Sequence, residues 1–204
     1  MVGGFAFRRG GDFVLCTDKG IFTADRALAD WRKLHDIPLA DDERINDVTT
    51  DPRGRVFAGT LKRSLADGTL YRIEQGRNPV AVLRGIGISN GMTFSLDERT
   101  FFHTDSLARR ITAFDYDSAT GEISGSRVFY QGVKKEGYPD GITADREGCI
   151  WLACWGASQI IRLRPGFTRP ITHHERLGCM APAASPKGRR AGDPFVFYAS
   201  GRCA

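Results

Sequence analysis

Short runs in which apolar and polar residues alternate dominate this 204-residue sequence, and helical periodicity is nearly absent. Alternation with a period of two sends successive side chains to opposite faces of an extended chain, so each run predicts a half-buried β-strand. Gly, Asp, Asn or Pro bounds the runs, as is typical of hairpin turns. The best helical candidate is the weakly amphipathic ALADWRKL at 27–34. The clearest strand runs are RVFAGT (55–60), TLYRI (69–73), ITAFDYD (111–117) and IWLACW (150–155).

The predicted strands recur in a fixed order. Each repeat has a polar Asn/Asp turn, a short strand, a turn at an Asp and a second strand rich in aromatic residues, and a third strand follows. A weaker copy lies at 2–22, and the turn residues Asp51, Asp97 and Asp145 lie 46 and 48 positions apart. Such a period is typical of β-propeller blades, with a β-sandwich of coincidental spacing as the alternative. The three clear repeats are RINDVTTDPRGRVFAGT (44–60), ISNGMTFSLDERTFFHTDS (88–106) and YPDGITADREGCIWLACWG (138–156).

Composition excludes several classes of function. The net charge of +5 comes without a basic helix or a basic stretch interleaved with aromatics, so we predict no nucleic-acid partner. No apolar run approaches the roughly 20 residues that cross a bilayer, and the first residues lack the pattern of a signal peptide. The five cysteines contain no CxxC motif, and three of them lie in apolar strand runs. We therefore predict buried free thiols at Cys16, Cys149 and Cys154, no cysteine metal site, and a cytoplasmic location.

The three repeats together resemble consecutive blades of the senescence marker protein/gluconolactonase/regucalcin family. The order and spacing match, as do the linking segments GTLYRI and ITAFDYDSATGEIS, and the resemblance covers roughly residues 2–167. It implies a six-bladed β-propeller with one divalent metal ion in its central channel. It also implies hydrolysis of a small-molecule sugar lactone or related ester.

The resemblance also implies roles for four residues. Asn90 of SNG and Asp140 of PDG fall on two metal ligands, and Asp140 falls on the general base as well. Arg44 and Asn46 of RIND fall on residues that hold the substrate beside the metal. Asn and Asp oxygens suit Ca²⁺, Mg²⁺ or Mn²⁺, and Zn²⁺ also accepts oxygen ligands. Such a cation polarises the lactone carbonyl, and Asp140 takes a proton from the attacking water.

Other acidic residues have an ordinary structural interpretation. Asx residues bond to their own backbone in turns, so Asp47, Asp51, Asp97 and Asp145 are expected to cap turns. Asp105 is expected to stabilise the end of a strand.

The sequence departs from the family pattern in two places. The family's third protein ligand is a Glu in a Glu-Gly-Pro motif on the first blade, and this motif does not occur here. We expect blade repeats over residues 1–167, about four of them, with the first family blade absent, and an atypical, irregular tail over 168–204. Because an open propeller exposes two blade edges, self-association is expected.

Two functions remain open on the sequence. The first is a metal-dependent hydrolase of the gluconolactonase type, in which metal-activated water opens a sugar lactone. The alternative is a non-catalytic or vestigial propeller fragment that binds metal or sugar and lacks one metal ligand. Hydrolysis of another ester class, such as organophosphates, on the same scaffold is a third interpretation.

Overall fold

The computed structural model describes residues 1–8, 10–64 and 67–164, together with the backbone of 171–173. In this part of the chain, sixteen strands form four antiparallel sheets of four strands each, joined by turns and one short 3₁₀-helix. Every sheet follows chain order from its first strand to its fourth. This is the up-and-down blade of a propeller, so the predicted all-β class with four blade repeats is confirmed.

The first two sheets, blades 1 and 2, contain strands β1 to β8. Blade 1 comprises β1 (Val2–Phe7), β2 (Phe13–Thr17), β3 (Gly20–Ala24) and β4 (Trp31–His35). Blade 2 comprises β5 (Glu43–Thr50), β6 (Val56–Lys62), β7 (Gly68–Ile73) and β8 (Val80–Ile86).

Blades 3 and 4 contain the remaining strands, and the 3₁₀-helix Lys134–Glu136 connects them. Blade 3 comprises β9 (Ser89–Phe94), β10 (Thr100–Asp105), β11 (Arg110–Asp117) and β12 (Glu122–Gln131). Blade 4 comprises β13 (Tyr138–Ala144), β14 (Ile150–Trp155), β15 (Gln159–Leu163) and β16 (Ile171–His173).

The helical candidate at 27–34 is wrong. Its second half belongs to β4, where Trp31 pairs with Ala24 and Lys33 pairs with Phe22 of β3. An eight-residue helix is marginal on its own in water, whereas strand pairing supplies hydrogen bonds to a neighbour that is already in place.

The core lies between blades. Ile21 packs with Val48 and Ala58 between blades 1 and 2. Similar clusters fill the next two gaps, and the rings of Phe57 and Phe101 lie 5.1 Å apart between blades 2 and 3. The first strands of consecutive blades lie side by side, β1 against β5, β5 against β9 and β9 against β13. Because the blades stack in this way, their first strands and the polar turns on them lie next to one another along the inner edge of the propeller.

The turn that marks each repeat is capped as predicted, but its register in blade 3 differs from the prediction. The Asp51 N–H donates to the Arg55 carbonyl, and the Asp145 N–H donates to the Cys149 carbonyl, four residues further along in each case. In blade 3 the equivalent donor is the Ser95 N–H, which bonds to the Thr100 carbonyl, five residues further along. This turn is one residue longer, so Ser95 is the structural counterpart of Asp51. Asp97 caps the same turn by accepting from the Arg99 N–H at 3.2 Å.

Three of the cysteine predictions are confirmed. Cys16, Cys149 and Cys154 are buried free thiols, and burial raises the pKa of Cys16 to about 12. The domain boundary predicted at residue 167 and the tail from residue 174 lie outside the described residues, while Ile171–His173 supplies the fourth strand of blade 4. Among the described elements, no helix is long and apolar enough to cross a bilayer.

Candidate functional site

Three of the predicted site residues occupy the same place in three consecutive blades. Asn46, Asn90 and Asp140 each lie five residues before the marker turn of their blade, on β5, β9 and β13. At each position the pairing between the first and second strand shifts register. Such a bulge interrupts the alternation of a strand and re-aims the side chain. The inner edge of the propeller thus presents a row of three polar side chains.

Asn90 and Asp140 lie near each other. Burial raises the pKa of the Asp140 carboxyl group, and the interaction with the Asn90 side chain partly offsets the rise. Gly91 permits the close approach of the two strands, because a Cβ there would lie 2.5 Å from the Asp140 carbonyl oxygen and 2.3 Å from the Ile142 nitrogen. Any side chain at this position would separate the strands that carry the predicted ligands.

Asn46 is held against the neighbouring blade. Its Nδ2 donates to the Ser89 carbonyl at 2.8 Å, so the amide oxygen of Asn46 faces away from this partner. The hydroxyl of Ser89 in turn lies 2.8 Å from Nε2 of His103, and both side chains are buried. Burial lowers the pKa of His103 to about 4, so this imidazole is neutral at physiological pH. His103 is therefore a satisfied structural histidine.

Arg44 lies near the start of the same strand as Asn46 and makes a different set of contacts. Its Nη1 donates to the Ile45 carbonyl at 3.1 Å. Burial, followed by the charge of Arg63, lowers the pKa of Arg44. In the described part of the chain, no hydrogen bond or ion pair joins Arg44 to Asn90 or Asp140. This end of the site is therefore cationic, and the Asp140 end is anionic.

Asp47 is a site residue that the sequence reasoning missed. Its assignment to a turn is wrong, because Asp47 lies within β5, opposite Gly59, and its Oδ1 accepts from the Val48 N–H at 2.7 Å. Burial raises its pKa to about 6, the Val48 bond lowers it, and the nearby charge of Asp140 raises it further. The signal was present in the repeat, because the residue after the aligned site position is Gly91 in blade 3 and Gly141 in blade 4. An Asp where the other blades have Gly marks a carboxylate at the inner edge.

The electrostatics of this cluster favour a cation. The charge of Asp140 disfavours the ionised form of Asp47, so the two carboxylates lie near each other, and the Asn90 side chain interacts with Asp140. Carboxylate and amide oxygens are the donors that hard divalent cations prefer. Within the described ranges, no group of three or more His, Cys, Asp or Glu side chains is arranged to hold a metal ion. The donors that would suit a hard cation here are the Asp140 carboxylate, the Asn90 amide oxygen and water, with the Asp47 carboxylate close to Asp140.

Comparison with known proteins places these observations in a family. The model of the family described as "SMP-30/Gluconolactonase/LRE-like region" matches residues 1–176. Regucalcin of Danio rerio is 38% identical over 148 residues, which cover 68% of this chain and 50% of the relative. Regucalcin of Gallus gallus is 36% identical over 177 residues, covering 80% of this chain and 58% of the relative. The chain thus spans about half to three-fifths of the length of these relatives.

Solved structures agree with the sequence comparisons. A luciferin-regenerating enzyme superposes with a TM-score of 0.74 at 28% identity, over 79% of this chain and 58% of that one. A calcium-binding protein, regucalcin from Agrobacterium tumefaciens, superposes with a TM-score of 0.72 at 27% identity, over 78% and 55% of the two chains. The predicted propeller of the six-bladed lactonase type is confirmed.

Proposed function

Since this chain belongs to the SMP-30/gluconolactonase/LRE-like family, we propose that its inner edge is the site of a metal-dependent hydrolase that opens a sugar lactone or related small cyclic ester. The observation that carries the proposal is the alignment of Asn46, Asn90 and Asp140 at bulges of three adjacent blades. Family membership supports the lactonase type, and the regucalcin relative whose structure is described as calcium-binding supports a divalent cation.

The proposed ligands are Asn90 and Asp140, with Ca²⁺, Mg²⁺, Mn²⁺ or Zn²⁺ as the cation. When bound, the cation supplies a Lewis acid for the lactone carbonyl and for the oxyanion that forms there. The raised pKa of Asp140 brings this carboxylate nearer to neutral pH, where a general base is most effective. Asp140 accepts the proton of the attacking water and gives it to the ring oxygen as the ring C–O bond breaks, which yields the open hydroxy acid and restores the carboxylate.

Arg44 and Asn46 are the proposed substrate contacts. The guanidinium fork of Arg44 suits ring hydroxyls or a carboxylate, and the Asn46 amide, fixed by the Ser89 carbonyl, has its oxygen available to a substrate hydroxyl. Asp47 increases the negative potential beside Asp140 and so favours binding of the cation.

The test is an assay of aldonolactone hydrolysis by the 204-residue chain. The release of acid is measured in the presence of each of the four cations and in the presence of a chelator. We expect activity only with a divalent cation, and a loss of at least about 100-fold in Asp140→Asn, because the general base is removed without a change in volume. Asp97→Asn, an exposed carboxylate in the turn of blade 3, is the matched control and should retain full activity. Full activity in Asp140→Asn would reject the assignment.

One observation favours the non-catalytic alternative. The described residues offer the cation two carboxylates and no third acidic or imidazole side chain. A calorimetric titration separates the two functions: saturable cation binding without lactone hydrolysis identifies a binding protein, and both together identify the enzyme.

A further inference from the structure

Ser106, in the turn after β10, bridges the two strands that carry the proposed ligands. Its side chain is buried, with 5% exposure. Its backbone is fixed on both sides, because its N–H donates to the Ile88 carbonyl at 3.0 Å and its carbonyl accepts from the Arg109 N–H at 3.1 Å. The hydroxyl is therefore held in one place by bonds that do not involve the site.

The hydrogen bonds of this hydroxyl determine which way the Asn90 amide faces. Ser106 Oγ lies 2.6 Å from the Pro139 carbonyl and 3.1 Å from the terminal amide of Asn90. A carbonyl only accepts, so the single hydroxyl proton of Ser106 goes to Pro139. Towards Asn90 the hydroxyl is then an acceptor, and the atom facing it must be the donor Nδ2.

The same hydroxyl also sets the spacing of the site. Pro139 directly precedes Asp140 on β13, and Asn90 lies on β9. Ser106 thus joins the two strands at the level of the ligands, beside the glycine that allows their close approach. Neither effect requires Ser106 to touch the cation or the substrate.

We propose that Ser106 is a positioning residue for the cation site: it fixes the Asn90 amide so that the oxygen is presented to the cation, and it holds Asn90 at the correct distance from Asp140. This inference rests on the proposed function, in which both residues are ligands. Groups that orient the ligands of a metal site typically change its affinity by about 10- to 100-fold when they are removed.

The experiment is calorimetric titration of the full chain and its variants with CaCl₂ and with MnCl₂. In Ser106→Ala the Asn90 amide is free to turn its NH₂ group towards the cation, so the dissociation constant should rise about 10- to 100-fold. Ser106→Cys keeps the volume but has a weaker donor and acceptor, and should give a smaller rise. Ser95→Ala removes a hydroxyl from the exposed turn of the same blade and should leave the dissociation constant unchanged.

A second pair of variants tests whether Ser106 acts through the orientation of the Asn90 amide. In Asn90→Asp both terminal atoms are oxygens, so the side chain has no wrong orientation. Adding Ser106→Ala to Asn90→Asp should therefore weaken cation binding by less than about threefold, well below the loss expected in the parent chain. An equal loss in both backgrounds would overturn the orientation role, because a general loosening of the turn acts on either residue alike.

The outcomes separate this inference from the function on which it rests. If the parent chain binds neither cation saturably, the proposed function fails and the role of Ser106 fails with it. If the parent chain binds and both Ser106→Ala and Ser106→Cys bind within twofold of it, Ser106 is not a positioning residue while the proposed function stands.

Discussion

At the scale of single residues, the pKa values of two groups near the site, Asp47 and His103, are shifted in opposite directions. Burial raises the pKa of Asp47 to about 6 and lowers the pKa of His103 to about 4. The folded state therefore prefers a protonated Asp47, whose contribution to stability is lost as pH rises from about 4 to about 6. It also prefers a neutral His103, whose contribution is lost as pH falls from about 6.5 to about 4. The two effects largely cancel in the parent protein.

In Asp47→Asn the titration of His103 should become visible in the pH dependence of the free energy of unfolding. The amide keeps the acceptor for the Val48 N–H but carries no charge, so at about pH 7, with chelator present, the free energy of unfolding should rise by roughly 1–3 kcal/mol. Between about pH 4 and about pH 6.5 the stability of the variant should rise more steeply with pH than that of the parent, because His103 still titrates there and the opposing titration of Asp47 is gone. Urea denaturation followed by tryptophan fluorescence across this range measures both effects.

The control for this prediction is Asp41→Asn, an exposed carboxylate in the loop before β5, which should leave the pH profile of the parent unchanged. A lower stability of Asp47→Asn at neutral pH would contradict the prediction, because it would mean that the ionised carboxylate is favourably paired in the fold.

At the scale of elements, the marker turn of blade 2 is fastened to blade 3 by a buried cluster. The Asp51 carboxylate accepts from Arg55 Nε at 2.5 Å and from the Tyr116 hydroxyl at 2.6 Å. Arg55 also donates to Tyr116 and to the carbonyls of Ser118 and Ala119. Because Tyr116 belongs to β11, these bonds fix the angle between two neighbouring blades at the end of β5, five residues from Asn46.

Tyr116→Phe should destabilise the protein through this cluster. The change removes one hydroxyl and leaves two buried charged partners each short of a hydrogen bond, so the free energy of unfolding should fall by about 1–3 kcal/mol. Arg127→Ala breaks the exposed ion pair with Asp115 in the same blade and should cost less than about 1 kcal/mol. Equal losses in the two variants, measured by urea denaturation, would show that the cluster contributes no more than a surface pair.

At the scale of the whole molecule, blade 1 presents an aromatic face on the side away from blade 2. Phe5 and Phe7 are 45% and 55% exposed, and both rings pack against Phe13 on the same face. Trp31 continues this face on β4 and is 43% exposed. The apolar faces between consecutive described blades are instead covered by the neighbouring blade. An exposed patch of this kind typically marks an interface.

We expect the chain to self-associate through this face, with a second copy covering it. Replacing Phe5 and Phe7 together by Ser removes most of the exposed aromatic surface, so the concentration-dependent rise in sedimentation coefficient should be lost. Leu96→Ser changes an exposed apolar residue in a distant turn and should leave the association unchanged. A parent chain that sediments as a monomer at every concentration would refute the expectation.

Much of the fold was determined by the sequence alone. Alternation and turn residues are local signals, and their repetition predicted the blades, the third strand of each repeat and the buried cysteines. The resemblance to a known family singled out Asn46, Asn90 and Asp140. The local signal failed where a neighbouring strand provided the decisive interactions. Trp31 and Lys33 joined β4 instead of a helix, and the longer turn of blade 3 moved its marker residue from Asp97 to Ser95.

Only the tertiary structure decided which side chains share the site. A bulge interrupts the alternation on which sequence reasoning depends, so the sequence did not predict that Asp47 belongs to the site. The glycines at the matching positions of the other blades, Gly91 and Gly141, were the one indication that this position is unusual. The links from Ser106 to Pro139, and from His103 to Ser89 and on to Asn46, join residues of different strands. Such contacts form through space when blades stack and leave no periodic signal along the chain, which is why packing had to reveal them.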